Sequence, residues 1–124
     1  MPLYTAITQD GTVSAETKAK IAGEITRIHT TVMKVPKSFV RVVFLSYQEG
    51  SGFTGGEPAA TASLNCMLRS GHTPEEKTDM LQQLWRMFQV LTGTATDQLA
   101  LSLQEIPSSN AMEMGQIMQA VGHE

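Results

Sequence analysis

Two helical patterns, each set between apolar strand patterns, narrowly limit how this chain of 124 residues can fold. Apolar residues recur at the spacing of one helical face over about residues 15–33 and again over about 75–91. Before the second pattern, Thr73, Pro74 and Glu76 have the order of a capping box with proline in the first turn. Strands are predicted at about residues 2–9, 38–47, 61–70 and 97–106, with a glycine-rich loop or hairpin over 49–58 and a short helical turn and tail after residue 106.

The resulting order of elements, β-α-β-β-α-β, predicts an α+β fold made of two fused β-α-β units. We expect one domain over residues 1–124, with the two units at about residues 1–58 and 59–124. Their strands would form one four-stranded mixed sheet that carries both helices on the same face.

The two helical patterns align when Ser14 is set against Pro74, which places Ile25 over Trp85. Each helix is then expected to bury one apolar face against the sheet. The residues predicted to point inward are Ile21, Ile25, Ile28 and Val32 on the first helix and Leu81, Leu84, Trp85, Phe88 and Leu91 on the second.

One face of the predicted sheet has no helix to cover it. The second strand is apolar on both sides, so apolar side chains are also expected on the face turned away from the helices. Contiguous apolar surface of this kind is usually buried against another chain. The sequence therefore predicts a symmetric homo-oligomer.

Charge and composition narrow the classes of function. The formal net charge is −3, so the chain has no basic surface for nucleic acid. No apolar run is long enough for a membrane span, and no secretory signal pattern is present. Cys66 is the one cysteine, which favours a reducing, cytoplasmic location. No cluster of histidine or cysteine has metal-ligand spacing, so no metal site is predicted.

The chain opens with Met1-Pro2 directly before a strand. If Met1 is removed, the secondary amine of Pro2 becomes the amino terminus. An α-amino group has a pKa of roughly 7.7 to 8.0, and burial or nearby cations lower that pKa. An uncharged amine at pH 7 can act as a base that carries a proton between oxygen and carbon, whereas a cationic one can donate a proton.

Further motifs follow in order along the whole chain. The stretch VPKSFVRVVFLSYQEGSGFTGGEPA is similar to the strand, arginine and glycine-rich hairpin of 4-oxalocrotonate tautomerase. The stretches MLRSGHTPEEK and EIPSSNAMEMGQIMQAVGHE are similar to cis-3-chloroacrylic acid dehalogenase and its relatives, which also keep a histidine where this chain has His29. Together with Met1-Pro2, these motifs resemble the tautomerase superfamily, whose members use an amino-terminal proline. The dehalogenase-like group is the nearest, with features of 4-oxalocrotonate tautomerase.

This resemblance implies a cofactor-independent homotrimeric enzyme in which Pro2 lies at the base of a cationic pocket for a small carboxylic acid. It implies catalytic roles for Pro2, Arg69, Glu113 and His29 and substrate binding by Arg41 and Arg69. Arginine suits the second role because it can hold a carboxylate through two parallel hydrogen bonds. Glu113 would orient water or transfer protons.

Several of these residues also have a purely structural interpretation. Arg41 is equally consistent with an ion pair at a subunit interface, and His29 with a partly buried histidine at the edge of a helix face. Glu113 could be a solvated side chain. Cys66 is more typical of a core thiol than of a nucleophile.

The chain departs from both relatives at particular positions. His72 stands where the dehalogenase group has a second arginine, and Ser102 stands where that group has a tyrosine that helps to activate water. We keep both as candidate substrate-binding residues. Thr12 stands where 4-oxalocrotonate tautomerase has an arginine. These departures weaken the case for dehalogenation more than the case for simple proton transfer, which needs Pro2 and one or two cations.

The sequence thus predicts a tautomerase that catalyses keto–enol proton transfer on a small 2-oxo acid or its enol. One alternative is a hydratase or dehalogenase that acts on a short unsaturated carboxylic acid. The other is a non-catalytic binding module on the same fold.

Overall fold

A computed structural model describes residues 1–119 of the chain as a four-stranded sheet with two helices packed on one of its faces. This is the predicted α+β architecture of two β-α-β units. The strands are β1 (Leu3–Gln9), β2 (Arg41–Tyr47), β3 (Phe53–Thr54), β4 (Glu57–Pro58), β5 (Ala62–Arg69), β6 (Leu99–Ile106), β7 (Met112–Glu113) and β8 (Gln116–Ile117), and the helices are α1 (Ala15–Met33) and α2 (Pro74–Thr92).

The main sheet has the strand order β2-β1-β5-β6. Within each half the neighbouring strands are parallel, β1 with β2 and β5 with β6, while the central strands β1 and β5 are antiparallel. The predicted mixed sheet is confirmed. The short strands β3–β4 and β7–β8 form two separate hairpins.

Both helices begin at the side-chain caps that the sequence predicts. The Ser14 hydroxyl accepts a hydrogen bond from the Thr17 amide at the start of α1. Thr73 and Glu76 form a reciprocal capping box at the start of α2, ahead of Pro74 in the first turn. Helix α1 ends at Lys34 in the left-handed conformation, two residues before Pro36.

The buried face of α2 agrees with the predicted face at Leu84 and Phe88 but includes Met80 instead of Leu81. The second helix buries Met80, Leu84 and Phe88, whereas Leu81 and Trp85 are only partly buried. The spacing of the two halves corrects a second prediction. Helices α1 and α2 begin 59 residues apart, as do β3 and β7, so the alignment of Ser14 with Pro74 was wrong by one position.

Residues 112–117 form a second hairpin, so the prediction of a helical turn and tail was wrong over most of residues 107–119, and the rest of that tail lies outside the described residues. A short 3₁₀ turn, Ser108–Asn110, is followed by strands β7 and β8. Met114 (φ 53°) and Gly115 (φ 76°) make the turn, as Gly55 (φ 59°) and Gly56 (φ 85°) do in the first hairpin. Positive φ at both central residues is the geometry of a tight hairpin turn. Because methionine rarely adopts it, the turn was hard to foresee.

The sheet face turned away from the helices is largely uncovered within one chain. Ile7, Val43 and Leu45 lie on it and are 39%, 45% and 51% exposed. Their neighbours on the opposite face, such as Ala6 and Leu64, are buried. The expected apolar open face is therefore present.

Gly52 is closely packed beside β2, and a substitution there tests how much this packing contributes to stability. A side chain at this position would lie 2.5 Å from the Tyr47 ring and 2.7 Å from the Ala59 carbonyl oxygen. We expect Gly52→Ala to lower the free energy of unfolding by about 1–3 kcal/mol, because neither neighbour can retreat without disturbing the hairpin. The matched control is Gly23→Ala on α1, where a Cβ meets nothing within 4 Å. That change should raise stability by about 0.5–1 kcal/mol in urea unfolding. Equal effects of the two substitutions would contradict the packing argument.

Neither helix of residues 1–119 is apolar enough over its length to cross a membrane.

Candidate active site

The start of the chain is buried at one end of the sheet. Pro2 is less than 2% exposed, and its carbonyl accepts a hydrogen bond of 3.1 Å from the Arg41 amide. Because β1 is a central strand, its first residues lie between the start of β2 and the end of β5. Arg41 begins β2 and Arg69 ends β5, so the topology brings both arginines to the same edge of the sheet as Pro2.

Glu113 links the second hairpin to this edge. Its carboxylate contacts the Met1 amine, and its Oε2 accepts a hydrogen bond of 2.9 Å from Arg41 Nη1. The Glu113 side chain is only 9% exposed, so these contacts are partly shielded from water. The structure therefore brings Pro2, Arg41 and Glu113 together, although Arg41 and Glu113 are 72 residues apart in the sequence.

Arg69 is a second cationic side chain near the chain start. Its Nη1 donates a hydrogen bond of 2.8 Å to the Gln119 carbonyl. Burial, followed by the charges of Arg41 and Arg69, lowers the pKa of the Met1 amine from 8.0 to about 6. An amine in this position is mostly uncharged at pH 7.

His29 is brought into the core rather than to the open part of the site. It is 1% exposed, and its Nδ1 is 2.7 Å from the Tyr4 hydroxyl. The two rings meet edge to face, with their centroids 5.6 Å apart. Burial, the charge of His72 and the charged chain start lower the pKa of His29 to about 4. This placement favours the structural interpretation of His29.

The buried imidazole predicts a pH dependence of stability. The pKa of His29 is about 4 in the folded protein and about 6.5 when unfolded, so only the unfolded chain gains a proton between these values. Stability should therefore fall as the pH drops from about 6.5 to 4, by about 3 kcal/mol in total. Urea unfolding at several pH values measures this slope. His29→Gln should flatten the slope, and an unchanged slope would contradict the assignment.

His72 lies at the head of α2, and Ser102 lies on β6. The His72 side chain is 3% exposed, and its Nδ1 lies 4.0 Å from Glu76 Oε1 at the head of α2. Ser102 is exposed on β6, and its hydroxyl donates a hydrogen bond of 2.7 Å to Asn65 Oδ1. Ser102 lies four residues before Ile106 on β6, and Ile106 is the cross-strand neighbour of Arg69. Four residues of a strand span about 13 Å.

Cys66 lies in the core beside Tyr4, its cross-strand partner. Burial raises the pKa of the Cys66 thiol to about 12, so it stays protonated at neutral pH. This agrees with the interpretation as a core thiol. Among residues 1–119, no group of three or more histidine, cysteine, aspartate or glutamate side chains is placed to hold a metal ion.

The arrangement has the parts for acid–base chemistry on an anion. The uncharged amine could accept a proton, and the arginines could bind a carboxylate or polarise a carbonyl. Sequence reasoning missed how Glu113 reaches this place, because it missed the hairpin that carries it. The 59-residue spacing from the first hairpin is the signal that could have revealed it.

Comparisons with known proteins agree with this fold. A family model described as "Putative oxalocrotonate tautomerase enzyme" matches residues 1–115. No protein among the curated sequences matches the chain.

Several solved structures are similar to the chain over most of its length. The native Ps01740 protein is 32% identical, covers 90% of this chain and 99% of its own, and has a TM-score of 0.88. The protein N1, a member of the cis-3-chloroacrylic acid dehalogenase family, is 25% identical with coverages of 97% and 85% and a TM-score of 0.91. A fused 4-OT solved as a symmetric trimer is 20% identical, with coverages of 94% and 94% and a TM-score of 0.85, which shows the fold alone. The chain belongs to the tautomerase superfamily, in the oxalocrotonate tautomerase family whose model it matches.

Proposed function

We propose that this chain is a cofactor-independent tautomerase that moves a proton between oxygen and carbon of a small 2-oxo acid or its enol. One observation carries the proposal. The chain start is buried next to Arg41, Arg69 and Glu113, and in this place the pKa of the Met1 amine is lowered to about 6. Family membership supports a tautomerase-like enzyme. The lowered pKa of this amine is the reason for proposing keto–enol proton transfer rather than hydration.

In this proposal the Pro2 amine is the base, once Met1 has been removed. A free proline amine is intrinsically more basic than that of methionine, but Pro2 lies one residue deeper and is less than 2% exposed. Burial and the charge of Arg69, which Glu113 does not neutralise, therefore lower its pKa. At pH 7 a large share of the amine is then uncharged and able to accept a proton.

The proton transfer needs no group beyond this chain and its substrate. Arg69 holds the substrate carboxylate and so places the enol beside Pro2. The nitrogen of Pro2 takes the proton of the enol hydroxyl as the O–H bond breaks and the carbonyl forms. The same nitrogen then gives a proton to C3, where a new C–H bond forms. The amine ends uncharged, ready for the next cycle.

We also propose that three chains assemble around the open sheet face. Ile7, Val43 and Leu45 leave an apolar surface there that a single chain does not cover. The fused 4-OT structures are described as trimers, which supports three copies rather than two. Sedimentation or light scattering of the purified protein tests the number directly.

A mass measurement followed by a chemical probe tests the proposal. The intact protein should be lighter than its sequence by one methionine. The probe is 2-oxo-3-pentynoate, which is named as the inactivator of Pt0534, a solved protein of similar fold. An uncharged amine adds to its triple bond, and the adduct keeps every atom of the probe. We expect one adduct on Pro2, formed at a rate that rises with pH and levels off near neutrality.

Two results would refute the proposed base. A retained Met1 leaves Pro2 as an amide, which cannot carry a proton, and the function would then be that of a binding module. Modification that requires a pH well above 8 would mean a cationic amine at pH 7. That outcome would favour proton donation over proton abstraction.

Hydration of a short unsaturated acid is the second candidate. The observation in its favour is the shielded Glu113 carboxylate next to the chain start, together with the 25% identity to N1. Against it, Ser102 lies far along β6 and replaces the expected tyrosine. Glu113→Gln should nearly abolish hydration but spare much of the enol ketonisation. Measuring both activities in this one variant therefore distinguishes a hydratase from a tautomerase.

A further inference from the structure

We propose that Glu113 restricts this site to acids with one carboxylate by neutralising Arg41. The inference deepens the proposed function and rests on it, because it takes the substrate carboxylate to lie on Arg69. The chain places two arginines at the site, and these two would suit a dicarboxylate if both were available. Their hydrogen-bond partners show that they are not equivalent.

Arg41 already has an anionic partner. Its Nη1 is 2.9 Å from Glu113 Oε2, and the Glu113 side chain is 9% exposed while that of Arg41 is 48% exposed. A carboxylate as shielded as Glu113 is costly to leave without a cation. The pair should therefore stay together when a ligand binds, and Arg41 then adds no net positive charge to the site.

Arg69 has no such restriction among residues 1–119. The partner recorded for its side chain is the uncharged carbonyl of Gln119, bound by Nη1. A guanidinium has five N–H donors, so most remain available for a carboxylate. Arg69 can thus receive an anion in the two-pronged geometry that arginine favours.

The charge balance changes when Met1 is removed. In the chain that retains Met1, its amine and Arg41 share the Glu113 carboxylate. Removal of Met1 takes its amine away from the Glu113 carboxylate and leaves Arg41 as the partner. With Pro2 uncharged, Arg41, Arg69 and Glu113 carry a net charge of +1. One carboxylate balances this charge, whereas a second would be bound without a cation.

Two 2-oxo acids of equal length test the inference. They are 2-oxopentanoate, with one carboxylate, and 2-oxopentanedioate, in which a second carboxylate replaces the terminal methyl group. Isothermal titration calorimetry on the processed protein should show at least about tenfold tighter binding of the monoanion. Glu113→Gln frees Arg41 and should shift the ratio toward the dianion by at least about tenfold.

Glu16→Gln is the matched control, because it removes a carboxylate that is 83% exposed on α1. It should leave the ratio as in the wild type. The inference is overturned if the wild type prefers the dianion, if neither acid binds, or if Glu113→Gln leaves the ratio unchanged. The wild-type comparison needs no variant, so the inference can be tested even if Glu113→Gln does not fold.

Calorimetry also separates this inference from the proposed function. Binding of the two acids requires neither a free Pro2 amine nor turnover. Loss of enol turnover with a preserved preference for the monoanion would count against the tautomerase and support the role of Glu113.

Discussion

A chain with two extra glycines ahead of Pro2 is expected to lose all enol ketonisation above the uncatalysed rate. The extension converts the amine into an amide and leaves every residue of the protein unchanged. Since acid–base catalysis by one group supplies about 10²–10⁴-fold, its removal should reduce kcat/KM by at least that factor. Loss of the ultraviolet absorbance of a small enol acid, such as the enol of phenylpyruvate, measures the rate.

Pro2→Ala is the matched variant, because its amino terminus is still an amine. It should retain activity at a level about a hundredfold below the wild type, since a primary amine can still carry the proton but lacks the ring that fixes its direction. The extended chain should be the less active of the two. Full activity in the extended chain would remove Pro2 from the mechanism.

Arg69→Ala is expected to raise KM for a monocarboxylic enol by about 10- to 100-fold, the usual value of one hydrogen-bonded charge. The carboxylate of the substrate would lose its cation, and its position beside Pro2 would become less certain, so kcat should fall as well. Steady-state kinetics with the same enol acid separates the two effects.

Two variants make the Arg69 result specific. Arg69→Lys keeps the charge without the two-pronged geometry and should give an intermediate KM. Arg27→Ala removes an arginine that is 61% exposed and paired with Glu24 on α1, and it should change neither constant. If Arg69→Ala behaved like Arg27→Ala, the carboxylate would have to be bound elsewhere.

The sequence predicted the fold well because the fold depends on local patterns. Ser14 and Thr73 mark the helix starts through side-chain caps, and these are visible within four residues of chain. Leu84 and Phe88 on α2 are buried as predicted, whereas Met80 was missed because the apolar spacing equally allowed its neighbour Leu81 on that face. The turn at Met114 was missed because its residue type gives no turn signal.

The site was only partly predictable, for a different reason. Motifs identified Pro2, Arg41, Arg69 and Glu113 as candidates, but not the ion pair that makes Arg41 and Arg69 unequal. That contact depends on the second hairpin and on the meeting of distant strands. Burial of His29 beside Tyr4 likewise depends on packing across 25 residues of sequence. A cytoplasmic location and the roles of His72 and Ser102 stay predictions of the sequence.

The 59-residue spacing of the two halves bears on the stoichiometry of binding. The same offset relates Pro2 to Thr61 and Arg41 to Ala100, and it relates Arg69 to Asp10. The opposite end of the sheet therefore has no counterpart of either arginine, and an acidic residue stands in the position of the anion-binding one. The two halves share the same order of strands and helices but differ in the charge of these corresponding residues. Each chain should accordingly titrate with one equivalent of a carboxylic acid, so that an assembly of three chains saturates at three ligands rather than six.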